Sequence, residues 1–131
     1  MTAAAVGLAL AIGLPASAQA DSYKFRVTAT KTSSVKHSGY VVSRGLLTTP
    51  RATVGKSRAK VHQGSNPRLA IRSTFSEGVI RARGRFTKRG DALILPLVGG
   101  GGTFRKAEGS LRIVPVSKGT ARWSFVLDSF G

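Results

Sequence analysis

The stretch from Gly78 to Leu127 limits what this chain can become. It reads GVIRARGRFTKRGDALILPLVGGGGTFRKAEGSLRIVPVSKGTARWSFVL. Apolar side chains recur at every second position, and turn-rich breaks fall at residues 88–91 (KRGD), 99–102 (GGGG) and 117–119 (SKG). A period of two with Gly, Asp and Lys at the breaks is the pattern of antiparallel strands in a meander, not of helices. Ile80, Ala82, Gly84 and Phe86 share one face, with Arg81, Arg83 and Arg85 on the other. Ala92 to Val98 is almost wholly apolar, and Pro96 inside it points to an edge, a bulge or a strand end, because proline cannot donate to a ladder. Ala107, Gly109, Leu111 and Ile113 then alternate with polar neighbours, as do Ala121, Trp123, Phe125 and Leu127.

Upstream, Tyr23, Phe25, Val27 and Ala29 alternate with Lys24, Arg26, Thr28 and Thr30, which predicts a half-buried strand. Gly39 to Val42 reads as a short second strand, and Leu69, Ile71, Ser73 and Phe75 as another. Residues 46–64 show no clean period; Pro50 and Gly55 interrupt them, so they read as one or two edge strands or as a long basic loop. Seven or eight short strands without a helix imply a single all-β barrel or sandwich. There is no cysteine to staple the fold, so a closed barrel, which removes exposed strand edges, is the favoured form.

The first twenty residues differ from the rest. MTAAAVGLALAIGLPASAQA holds no charge, has a short apolar run from Ala3 to Leu14, and ends in an A-x-A site at Ala18-Gln19-Ala20. That layout predicts a secretory signal peptide helix over 1–20, too short to span a bilayer, followed by a β domain over 21–131 that is exported or held at the cell envelope. No Lys or Arg stands near Met1, which departs from the usual signal layout. All 21 Lys and Arg and all five carboxylates lie beyond residue 20, so the mature part keeps the whole net charge of +16. Such a surface attracts polyanions without regard to their sequence.

At Leu95 to Gly109 the sequence LPLVGGGGTFRKAEG resembles the dirigent protein and allene oxide cyclase barrel superfamily. That superfamily shows an apolar strand with proline, then a glycine turn G-G-T-G-x-F-x-x-A-x-G, then a closing hairpin. Gly99, Gly100, Gly102, Phe104, Ala107 and Gly109 fall on the pattern; Gly101 stands where the pattern has threonine. The resemblance spans roughly half of the mature chain, from Gly78 to Leu127. It implies an eight-stranded antiparallel β-barrel with an apolar cavity, trimeric in many members, that steers phenolic radical coupling or cyclisation of a fatty-acid epoxide without a cofactor. The polar pocket residues of the superfamily have no aligned positions here.

The residues themselves offer few catalytic signals. There is no G-x-S-x-G, no phosphate-binding loop and no Cys–His pair. His37 and His62 sit in polar segments with no second ligand nearby, so neither a metal nor a cofactor is expected. Glu108, beside the glycine motif, is the one weak catalytic candidate, and Arg105 and Lys106 are its natural ion-pair partners. Arg81, Arg83 and Arg85 are the candidate anion-binding residues, about 6.7 Å apart along a strand, with a solvated exterior as the plain alternative. Sequence-specific nucleic-acid binding is not expected, because aromatic residues do not interleave with them. Tyr23, Phe25, Trp123 and Phe125 are the candidate cavity lining. These expectations combine into an exported barrel that binds a small apolar or phenolic molecule and guides its cyclisation or coupling. The alternative is a noncatalytic cationic protein adhering to anionic envelope polymers or phospholipid.

Overall fold

A computed structural model describes residues 23–85 and 88–129. The expected signal peptide, residues 1–20, lies outside the described residues, as does Phe86. The strands are β1 (Tyr23–His37), β2 (Tyr40–Thr48), β3 (Thr53–His62), β4 (Arg68–Phe75), β5 (Gly78–Arg85), β6 (Lys88–Arg89), β7 (Ala92–Gly102), β8 (Glu108–Ser117) and β9 (Thr120–Ser129). β1 through β5 pair in sequence, β7 pairs with β8 and β8 with β9, all antiparallel. β9 returns to β1 and β5 pairs with β7, so eight strands close on themselves. β6 adds a two-residue pairing to the start of β7. The fold is therefore an all-β, eight-stranded antiparallel barrel. No helix of the described residues is long and apolar enough to cross a membrane.

Two segments differ from the sequence reading, each for a physical reason. Residues 46–64 take the strand alternative and not the loop, but neither strand is an edge: β2 runs to Thr48, a tight turn closed by Thr49 N–H donating to Ala52 O (2.8 Å) carries Pro50, and β3 follows, each paired on both sides. The inward positions of β3 are Gly55, Ser57, Ala59 and Val61, opposite Leu47, Gly45, Ser43 and Val41. Small side chains facing inward leave little apolar alternation to read. The four glycines do not break the chain either. β7 continues through them, and the turn comes after, at 103–106. β5 and β7 approach so closely that a Cβ at Gly100 would overlap the Val79 carbonyl, and Gly99 and Gly102 hold φ of 90° and 62°. Glycine alone tolerates that approach and those angles. The β5–β7 register shifts between Ile80 and Ala82, so the glycines sit at a bulge on the closing seam. Pro96 opposes Ser110 on β8, beyond the last β5–β7 pair at Ala82 and Leu97, so no bond of that seam is lost to it.

One half of the interior is filled by rings. Phe25 and Phe125, opposite each other on β1 and β9, stack at 4.8 Å and 15°. Phe75 meets both edge-on, at 5.7 Å and 5.9 Å, and Phe104 meets Phe75 at 6.2 Å. Phe104 hangs from the β7–β8 loop, fully buried, with its N–H donating to Gly101 O and its carbonyl accepting from Ala107 N–H. Each such ring pair adds about 0.5–1.5 kcal/mol beyond area burial. Leu47, Ile80, Leu111 and Leu127 pack around the rings, all fully buried. This end, where β4 turns into β5 and β7 into β8, is plugged.

Candidate functional site

The opposite end of the barrel is lined by small side chains. Moving along β1 and β9 away from the rings, the facing pairs become Val27–Trp123 and then Ala29–Ala121. Across β2 and β3 the inward residues are Gly45 opposite Ser57 and Ser43 opposite Ala59. Where rings give way to alanine, serine and glycine, an eight-stranded barrel cannot fill its own bore. A cavity of about 290 Å³ results, walled by Ala29, Ser43, Gly45, Ser57, Ala59 and Trp123. That is near the lower bound for small-molecule sites. Gly45 is required here, since a Cβ would lie 2.6 Å from the Thr30 carbonyl and 3.1 Å from Ser57 Oγ.

The charge at this mouth has one sign. Among the described residues Lys31 and Arg44 line it, both exposed, and no carboxylate or histidine does. The Lys31 N–H donates to Gly119 O at 2.8 Å, tying β1 to the β8–β9 hairpin and shaping the rim. Beneath the rim, Ser57 stands directly opposite Ser73 on β4. Ser73 is fully buried, and its Oγ has no hydrogen-bond partner. Leaving a buried hydroxyl unsatisfied costs about 1–3 kcal/mol, so an orphan beside a cavity wall calls for a reason.

The structure separates the residues singled out from the sequence. Of Tyr23, Phe25, Trp123 and Phe125, all packed with the interior, Trp123 lines the mouth cavity, while Phe25 and Phe125 belong to the ring cluster. Tyr23 lies at the plugged end against Phe25 (6.0 Å), where burial, and secondarily the Glu77 carboxylate, push its phenol above 10.0. Glu108 is exposed at the start of β8 and accepts a hydrogen bond from Ser129 Oγ at 2.9 Å, away from the mouth. Gly99, Gly100, Gly102, Phe104, Ala107 and Gly109 build the seam and plug and line no part of the mouth. Arg81 and Arg83 are exposed on the outer face of β5, as is Arg85. His37 and His62 both lie against Tyr40, at 4.6 Å and 5.9 Å between ring centres. Among the described residues no three His, Cys, Asp or Glu side chains converge as a metal site. Sequence reasoning missed Ser43, Gly45, Ser57 and Ala59, all in segments lacking strong apolar alternation, and Ser73 passed only as a strand position.

A larger groove, about 650 Å³, runs along the outer face of β1 and β9 between Lys24, Arg26, Arg122 and several hydroxyl side chains. Phe25 and Phe125 also border it. The mouth is smaller, but it alone combines an indole wall with the orphaned hydroxyl beneath it.

No family model matches the sequence, and no curated protein matches it. Among solved structures the chain is similar to pyocyanin demethylase, with a TM-score of 0.68 over 79% of this chain and 99% of that one, at 12% identity. Likeness at that identity concerns the fold: nearly the whole of the other protein superposes on this barrel.

Proposed function

We propose that the barrel mouth binds a small apolar or aromatic molecule bearing an anionic group. The observation behind this reading is the 290 Å³ cavity with Trp123 on its wall and only cationic side chains, Lys31 and Arg44, among its ionisable lining. The indole offers a flat apolar face, and the two cations favour a carboxylate or phenolate at the rim. The name of pyocyanin demethylase says that a barrel of this shape acts on a small molecule, which supports the same use here. Guided cyclisation or coupling, as in the dirigent and allene oxide cyclase barrels, is the fuller form of the reading. Among the described residues the mouth lining has no carboxylate or imidazole, so turnover would draw on holding the reactant in a productive shape, with Lys31 the one amine at hand for proton transfer. The exported location follows from the N-terminal sequence pattern and belongs to the same proposal.

Trp123 is the only tryptophan in the chain, which makes its emission a reporter of the site. Titration with a panel of aromatic carboxylates and their neutral methyl esters is expected to change that emission saturably, with the esters about 5–10-fold weaker, the equivalent of about 1 kcal/mol of charge-assisted bonding. Ala59→Phe, which narrows the mouth, is expected to abolish the change, and Lys31→Gln to reduce the preference for acids. A non-saturable response, or one indifferent to both substitutions, would defeat the proposal.

A further inference from the structure

The outer face of β2–β5 carries an arrangement that the barrel does not need. Arg44 pairs with Arg58, Arg58 with Arg72, and Arg72 with Arg81, so four arginines stand directly opposite one another across four adjacent strands. Neighbouring strands lie about 4.8 Å apart, and like charges directly opposite destabilise a sheet. All four side chains are exposed. One step along the strands, Lys60 and Arg83 continue the field, and with three of the row arginines they border a shallow recess of about 210 Å³. None of the four strands contains Asp, Glu, Asn or Gln. The described carboxylates lie elsewhere: Glu77 and Asp91 in turns, Glu108 and Asp128 on β8 and β9. Among the described residues the row has no counter-charge, so an external anion would relieve its repulsion.

We infer that this face docks a flexible, base-free phosphodiester polymer of the polyol phosphate kind, laid across the four strands with its phosphates on the guanidinium row. Guanidinium groups bind phosphate oxygens bidentately, and a row of them fits a linear series of phosphates better than isolated anions. The face is the outside of a barrel and therefore convex. A flat bilayer touches it along a line, whereas a flexible chain wraps it. Nucleic acid is less well matched. The four strands present no Asn or Gln to read base edges. The outward aromatic ring there, Tyr40, is already stacked by His37 at 4.6 Å and covered by Lys60 Nζ at 4.4 Å. Bases thus gain no stacking platform. Of the row only Arg44 also borders the mouth; Arg58, Arg72 and Arg81 do not line it, so the test rests on residues apart from that site.

The test uses the full chain and end-labelled poly(glycerol phosphate), followed by fluorescence anisotropy across a salt series. Arg58→Gln/Arg72→Gln removes the centre of the row. Lys24→Gln/Arg122→Gln removes the same charge from the outer face of β1 and β9. The row variant is expected to bind at least about 10-fold more weakly with a salt slope lower by about two, one per lost phosphate contact. The control is expected to change less than about 3-fold. The row variant should melt no lower than the parent, since it loses a self-repelling array. Equal losses in the two variants would mean diffuse attraction only and overturn the assignment, as would a lowered melting point in the row variant. Tighter binding to a single-stranded oligonucleotide of matched charge, or to phosphatidylglycerol vesicles, would overturn it in favour of those partners.

Discussion

Ser73→Ala is expected to stabilise the protein, against the usual direction of core substitutions. Ser73 is fully buried on β4 between Ser57 on β3 and Ile80 on β5, and its Oγ meets no donor or acceptor. Removing an unsatisfied buried hydroxyl recovers about 1–3 kcal/mol of desolvation. The oxygen leaves a void no larger than a methyl group, which costs about 1 kcal/mol. The balance is a gain of about 1 kcal/mol, equivalent to a rise of about 4 °C in melting temperature for a domain of this length. Urea unfolding should show a higher midpoint at unchanged slope. A loss of stability of 1 kcal/mol or more (an order-of-magnitude bound) would show that Oγ has a structural partner and would refute the reasoning.

Phe125→Ala should cost about 3–5 kcal/mol in urea denaturation, because it removes a fully buried ring that stacks on Phe25 and meets Phe75 edge-on; a cost below about 1 kcal/mol would mean that the ring cluster is not the core. Gly100→Ala should cost about 2–3 kcal/mol and accelerate hydrogen exchange in β5 and β7, since the added methyl collides with the Val79 carbonyl on the closing seam; undisturbed exchange would contradict closure there. The raised phenol of Tyr23 gives the folded state a proton that the unfolded chain releases sooner. That contribution to stability is complete below pH 10.0 and disappears as pH rises through the folded value, so Tyr23→Phe should flatten the alkaline decline in stability.

The fold was legible where inward side chains are large. Tyr23 to Ala29, Ile80 to Gly84 and Ala121 to Leu127 alternate strongly, and each is a strand; the alternation left open which face lines the bore, and the apolar face turns inward. It was illegible where the interior needs small residues. Gly55, Ser57 and Ala59 face the bore as Ile80 does, but they carry no hydrophobic signal, and that stretch forms one wall of the mouth. The glycine run was read as a break because consecutive glycines look alike in a turn and in a strand held against another backbone. Only the pairing of β5 with β7 distinguishes them. Register explains the arginines as well. Arg81, Arg83 and Arg85 stood out because they are close in sequence, whereas Arg44, Arg58 and Arg72 join Arg81 only through strand pairing.

The mouth is best tested by mapping amide and indole chemical shifts in labelled protein with and without a saturating aromatic carboxylate. Shifts are predicted at Ala29, Ser43, Gly45, Ser57, Ala59 and the Trp123 indole, all on the cavity wall. A silent mouth, with changes confined to Lys24, Arg26 and Arg122 in the outer groove, would contradict the account.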